Sequence, residues 1–172
     1  ALATLGTGIG LLVLLSFLLG DATVTGPVAD FGWLLVVVLL TTPLQSAAEE
    51  YLFRGYLSQA IAGWVRGPAV GAVVAGVITA TLFSLAHAPG DWPTFLDRFA
   101  FALAASGVVW VTGGLEAAIV LHAVNNVLIF VLAGLLGEGV ATTEVPVSLG
   151  LLALVVSLLT MAAYVAVVAR SR

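Results

Sequence analysis

The sequence of 172 residues contains no cysteine and no lysine, and only 8% of its residues are charged. Without cysteine, the chain cannot form a disulfide, use a thiol nucleophile or bind zinc through thiolates. Its five arginines form no basic patch, which argues against nucleic-acid binding. By contrast, 62% of the residues are hydrophobic, whereas a soluble domain has about 45–50%. A chain of this length cannot bury so much apolar surface in one core, so we predict an integral membrane protein.

Apolar stretches long enough to cross a bilayer, about 20 residues each, occur six times along the chain. They cover residues 2–20, 31–62, 69–87, 94–112, 115–136 and 146–169. The first stretch has neither a basic leader nor a cleavage site, so we expect a span there rather than a signal peptide. The predicted fold is an all-α polytopic bundle, a single membrane domain over residues 1–172 with its active site inside the bundle.

The second stretch is too long for one straight span. Its 32 residues would extend roughly 48 Å as a helix, against a hydrocarbon core of about 30 Å. The helix must therefore tilt steeply or break near Gly55, and Pro43 is a candidate kink.

The arginines outside the apolar stretches predict an orientation. Arg66 lies between the second and third stretches, and two more arginines follow the last one, whereas the connections 21–30 and 137–145 carry only acids. The positive-inside rule then places both termini in the cytoplasm. Arg98 falls on the opposite side and conflicts with this assignment. The lysine-free composition, rich in alanine and valine, suggests a prokaryotic plasma membrane.

Ionisable and amide side chains inside the predicted spans form the main functional signal. Such residues are costly in a bilayer and usually face the interior of a bundle or a wet cavity. Both histidines of the protein belong to this set, which comprises Glu49, Glu50, Arg54, His87, His122, Asn125 and Asn126.

The first polar group is the stretch AAEEYLFRG, residues 47–55. Glu50 and Arg54 are four residues apart and share one face of a helix, so they can pair. Glu49 lies about 100° further round the helix. One interpretation is a structural salt bridge with a spare glutamate. The other is that Arg54 holds Glu50 ionised, while Glu49 remains available as a general base.

The second group is His87 in the stretch LFSLAH. Glu49 lies nineteen residues before Pro68 and His87 nineteen residues after it. In an antiparallel hairpin folded near Pro68, the two side chains stand at the same depth, where they could activate a water molecule. The alternative is a histidine that only caps or packs a helix end.

The third group is LHAVNN, in which His122 and Asn126 share a helix face and Asn125 is close to it. These residues could make interhelical hydrogen bonds, or donate together to a developing oxyanion. His122 and His87 could instead join Glu49 as a His₂Glu metal site. Glu116 is interpreted as an acid that compensates the helix dipole, without a catalytic role.

Together the three motifs EEYLFR, FSLAH and HAVNN resemble the CPBP family, which comprises CAAX prenyl endopeptidases and bacteriocin-processing (Abi) membrane proteins. The family pattern is EExxxR, FxxxH and HxxxN or HxxxD in this order, and the resemblance covers about residues 43–130. It implies an intramembrane endopeptidase. It also implies that Glu49 and His87 activate water and that His122 and Asn126 stabilise the oxyanion. The supporting positions would be Glu50, Arg54, Phe83 and Asn125.

The resemblance leaves the cofactor open, because the family is described both as metalloproteases and as metal-free glutamate proteases. We expect metal-free hydrolysis, with zinc on Glu49, His87 and His122 as the alternative. The expected substrate is a membrane-associated protein or peptide within the lipid bilayer. The alternative functions are a proton-coupled transporter, whose Glu and His residues form a relay, and a non-catalytic immunity or scaffold protein.

Overall fold

The computed structural model describes residues 1–18, 25–137 and 147–171, and this part of the chain contains helices and turns but no strand. In chain order the helices are α1 (Leu2–Leu18), α2 (Phe31–Glu50), a π-helix (Tyr51–Leu57), α3 (Ser58–Ala62), α4 (Pro68–Ala86), α5 (Trp92–Thr112), α6 (Glu116–Leu136) and α7 (Val147–Arg170). The predicted all-α helical bundle is confirmed.

Five helical segments are long and apolar enough to cross a membrane. They cover 31–62, 68–86, 92–112, 116–136 and 150–170. Helix α1 is apolar but has only 17 described residues, so it is shorter than the other five. Residues 19, 20 and 146 of the predicted spans lie outside the described residues. Exposed tryptophans lie near the helix ends, as is usual at a membrane interface: Trp33, Trp64, Trp92 and Trp110.

The long second segment does not break near Gly55, which was one of the two expected solutions. Residues 31–62 form one continuous helix, in which seven residues around Gly55 adopt the wider π-helical form. The backbone N–H of Ser58 donates to the carbonyl of Phe53, five residues earlier. Pro43 is accommodated inside the helix. The chain thus changes its helical winding beside the polar motif and continues.

Helix α5 begins at Trp92, two residues before the predicted start. Asp91 caps it: its Oδ1 accepts a hydrogen bond of 2.7 Å from the backbone N–H of Thr94, which lowers the pKa of the Asp91 carboxyl. Pro93 occupies the first turn, where proline costs no hydrogen bond. These two features fix the start of α5.

The helices pack around an apolar core that includes Phe53, Phe83, Phe101 and Leu121. Helix α2 packs mainly on α6, and α5 lies between α4 and α7, while α1 packs on α7. The hydroxyl of Tyr164 in α7 donates to the carbonyl of Ala117 in α6 over 2.9 Å. The polar motifs on α2, α4 and α6 therefore face one shared interior.

Helix α6 begins at a depth in the bundle that hydropathy alone does not predict. A β-carbon at Gly55 would lie 3.2 Å from Leu115, just before α6, whereas Gly71 of α4 packs on Ala62. Because Gly55 and Ala62 are seven residues apart on one continuous helix, Leu115 at the start of α6 lies about 10 Å deeper in the bundle than Gly71 in the first turn of α4. His122 consequently reaches the level of Glu50.

The contact between Gly71 and Ala62 predicts a local intolerance of larger side chains. A β-carbon at Gly71 would lie only 3.1 Å from the Ala62 carbonyl oxygen. We expect Gly71→Val to lower the free energy of unfolding by about 1–3 kcal/mol through overpacking, measured by thermal unfolding in detergent. Gly107→Val is the control, since a β-carbon there meets nothing within 4 Å. Equal losses in both variants would contradict the close packing of α3 on α4.

Candidate active site

A buried ion pair occupies the centre of the bundle. Arg54 Nη1 donates to Glu50 Oε1 over 3.0 Å, and the two side chains are 1% and 0% exposed. This is the pair that the four-residue spacing predicts. Arg54 Nη2 also donates to the Ala102 carbonyl over 3.0 Å, and the guanidinium lies 4.7 Å from the centre of the Phe83 ring. Arg54 thus connects the π-helix with α4 and α5.

His122 shares the same carboxylate oxygen, a contact that the sequence did not predict. Its Nδ1 lies 2.8 Å from Glu50 Oε1. The carboxylate paired with Arg54 is ionised and can only accept, so Nδ1 carries the hydrogen and donates to it. In the neutral ring Nε2 is then unprotonated. His122 can donate a hydrogen bond from Nε2 only as an imidazolium, so the predicted oxyanion role requires a protonated ring.

Glu49 lies between the two histidines. Its Oε2 is 3.7 Å from His87 Nε2 and 3.8 Å from His122 Nε2. Both distances are too long for direct hydrogen bonds, and within the described part of the chain this buried oxygen has no hydrogen-bond partner. Its Oε1 accepts from Gln45 Nε2 over 3.0 Å. Glu49 therefore presents one fixed oxygen toward both rings.

His87 stands beside Glu49, as the equal distances from Pro68 suggested. Its Nδ1 lies 2.7 Å from the Phe83 carbonyl, which can only accept, so Nδ1 carries the hydrogen. The unprotonated Nε2 of the neutral ring then faces Glu49. The Phe83 ring packs 4.5 Å from the His87 ring and 5.7 Å from the His122 ring, measured between centroids. Phe83 thus supports both imidazoles.

A cavity of about 430 Å³ adjoins these groups. Most of its lining is apolar, and its polar lining near the site consists of Gln45, His87, His122, Asn125 and Asn126. Asn125 Nδ2 lies 3.5 Å from Asn126 Oδ1, which leaves the N–H₂ group of Asn126 as the donor available to the cavity. Glu49 does not itself line this cavity, whereas the neighbouring His87 and His122 do.

Sequence reasoning missed three polar residues of this region. Gln45 precedes Glu49 by one helical turn and orients it, and the spacing of four was the available signal. Asp97 and Arg98 line the same cavity from α5. In the sequence analysis Arg98 was considered only as a conflict with the predicted orientation. Two adjacent charged residues within an apolar helix were nevertheless a signal of a functional position.

Comparison with known proteins identifies the family. The family model described as Type II CAAX prenyl endopeptidase Rce1-like matches residues 31–128, more than half of the 172 residues. The chain belongs to this family. The matched region runs from the start of α2 to α6 and includes all the residues that meet around Glu49.

One curated protein with a similar sequence is the uncharacterized protein YyaK of Bacillus subtilis (strain 168). It is 31% identical over 107 residues, which are 58% of this chain and 34% of the relative. The chain thus spans about a third of the length of this curated relative. No solved structure matches the chain significantly.

The buried pair predicts a large loss of stability when one partner is removed. Arg54→Ala leaves the Glu50 carboxylate without its cation, which typically costs about 3–5 kcal/mol. We expect a strongly lowered melting temperature and a reduced yield of folded protein in detergent. Arg66→Ala is the matched control, because Arg66 is exposed in the turn before α4. If both variants have the same melting temperature, the ion pair of Arg54 with Glu50 does not stabilise the bundle.

Proposed function

We propose that the chain hydrolyses peptide bonds of membrane-associated proteins or peptides, as an intramembrane endopeptidase of the Rce1-like family. The observation that carries the proposal is the position of Glu49 Oε2, 3.7 and 3.8 Å from the Nε2 atoms of His87 and His122. The family supplies the reaction class. For the setting we retain the prokaryotic plasma membrane, with both termini in the cytoplasm, and residues 43–130 as the catalytic core.

In the proposed mechanism Glu49 is the general base. It removes one proton from a water molecule. The second hydrogen stays on the water oxygen and donates a hydrogen bond to His87 Nε2. His87 suits this role because its only ring hydrogen is engaged by the Phe83 carbonyl. The water oxygen then attacks the carbonyl carbon of the scissile peptide bond. Gln45 fixes the other oxygen of Glu49, so that one carboxylate oxygen faces the water.

Charge that develops on the substrate carbonyl oxygen needs donors. We assign this role to the Asn126 N–H₂ group and to Nε2–H of a protonated His122. The Glu50 carboxylate, 2.8 Å from His122 Nδ1, stabilises the imidazolium. The carbon–nitrogen bond then breaks while Glu49 returns its proton to the departing amine, which leaves a carboxylic acid and an amine as products.

A divalent metal is the alternative to a metal-free site. Glu49 Oε2, His87 Nε2 and His122 Nε2 are the atoms that would hold it, and hydrogen bonds at both Nδ1 atoms are the support that metal-binding histidines use. A bound zinc would polarise the carbonyl and activate water. Among the described residues, however, no three side chains have the spacing of a metal centre.

The metal-free assignment follows from the roles available. If Glu49 were a metal ligand, another base would be required, and the neighbouring Glu50 is already engaged by Arg54 and His122. Without a metal, each residue of the site has one role. We therefore propose a glutamate protease.

The assignment of the base predicts that Glu49→Gln abolishes cleavage without unfolding the protein. The amide keeps the shape of the side chain but cannot accept the proton, so turnover should fall by about 100- to 10,000-fold, the range of general-base catalysis. The measurement is cleavage of an S-prenylated CAAX peptide by purified protein in liposomes, with the melting temperature as a folding check.

Glu116→Gln is the matched control, since Glu116 is an exposed carboxylate at the start of α6, and it should cleave normally. Near-native turnover in Glu49→Gln would show that another group is the base. A folded parent protein that cleaves none of the membrane peptides would favour a transporter or a non-catalytic role.

The metal-free assignment predicts that activity survives removal of divalent ions. Active protein treated with a chelator and dialysed should retain its rate, and metal analysis should find zinc well below one ion per chain. The opposite result would be stoichiometric zinc and activity that is lost to the chelator and restored by added zinc. It would show that Glu49 is a metal ligand and not the general base.

A further inference from the structure

A second polar group lies in the cavity, one helical turn from the site. Arg98 and Asp97 are in the second turn of α5, and both line the cavity. Thr94, Arg98 and Phe101 follow one another at helical spacing on one face, and the Phe101 ring lies 5.0 Å from the His122 ring. Arg98 therefore lies about 4.5 Å from Phe101 along the α5 axis.

Asp97 contacts Ser157 of α7 through its side chain, but Arg98 forms no ion pair with the described residues. An arginine within an apolar helix is costly unless it is paired or functional. Among the described residues, no carboxylate lies within 4.0 Å of the Arg98 guanidinium, whereas Arg54 pairs with Glu50 at 3.0 Å. Asp97 has a buried oxygen, Oδ1, that accepts no hydrogen bond from the described part of the chain. The cavity thus contains a cation and an acceptor with unused capacity.

The proposed substrate offers the complementary groups. A planar guanidinium binds a carboxylate through two parallel hydrogen bonds. A peptide carboxylate is preceded by an amide N–H, and Asp97 Oδ1 is an acceptor of the kind that this N–H requires. An extended peptide advances about 3.3 Å per residue, so a substrate bound beside His122 and Phe101 would bring a residue a few positions from its scissile bond to the level of Arg98.

We propose that Arg98, assisted by Asp97, is a specificity residue that binds a carboxylate of the substrate two or three residues from the scissile bond. This inference rests on the proposed endopeptidase function. The carboxylate is either the C-terminus of the substrate or an aspartate or glutamate side chain. Both present the same planar oxygens, and the peptides below distinguish them.

The test measures binding rather than cleavage, so that it gives a result even if the proposed reaction is wrong. The Glu49→Gln variant in lipid nanodiscs is titrated with fluorescent S-prenylated CAAX peptides. One pair differs only in a C-terminal acid or amide. A second pair is extended well beyond the CAAX sequence and carries Glu or Gln three residues after the prenylated cysteine.

We expect the carboxylate member of one pair to bind about 10- to 100-fold more tightly, the usual effect of a charge-assisted hydrogen bond. The pair that shows this preference identifies the source of the carboxylate. Adding Arg98→Gln should abolish the preference, and Arg98→Lys should restore part of it. Arg66→Gln, which removes an equal charge from an exposed turn, should leave the preference unchanged.

Three results would overturn the inference: equal affinities within both pairs, a preference that persists in Arg98→Gln, or no binding of any peptide. The acid–amide comparison needs no change at Arg98, so it remains decisive if that variant fails to fold. Cleavage by the parent protein is measured separately. If Arg98 is intact and no carboxylate preference is found while the parent protein cleaves normally, the specificity role alone is refuted. A carboxylate preference without any cleavage by the parent protein refutes the proposed function alone.

Discussion

A single carboxylate oxygen, Glu50 Oε1, organises the interior of this bundle, because it accepts hydrogen bonds from Arg54 and from His122. A carboxylate that is fully buried among apolar helices is tolerated only with such partners. Each partner brings another helix with it: Arg54 binds a carbonyl of α5, and His122 belongs to α6. Glu49, the next residue on the helix, is turned by about 100° and faces the histidines. In the proposed mechanism these adjacent glutamates have separate roles, Glu50 as structural support and Glu49 as the base.

The sequence predicts the parts of this arrangement that depend on one helix or one hairpin. The pair of Glu50 with Arg54 follows from helical spacing, and the proximity of Glu49 to His87 follows from their equal distances from Pro68. The contact of His122 with Glu50 joins residues 72 positions apart. It depends on how deep α6 begins, and hydropathy locates the ends of a span without relating their levels. The packing of Leu115 on Gly55 sets that level.

The π-helix is another feature that periodicity does not reveal. A wider turn changes the helical phase of the residues that follow it relative to those before, and such turns are frequent at functional sites. Here both Phe53 and Arg54 are buried, while their neighbours Leu52 and Tyr56 are exposed. In the wide turn, two consecutive side chains, three and four residues after Glu50, therefore point inward. One of them joins the apolar core and the other neutralises the buried carboxylate.

The charges at the centre constrain the proposed mechanism further. Two carboxylates, Glu49 and Glu50, face a single permanent cation, Arg54, and a net charge is unfavourable in a medium of low polarity. One additional proton among Glu49, His87 and His122 makes the cluster neutral. Placed on His122, that proton is held between Glu50 and Glu49, and it supplies the Nε2–H that an oxyanion requires. In the proposed mechanism a proton at this position would both balance the charge of the site and stabilise the oxyanion, and it would connect the buried ion pair with the reaction.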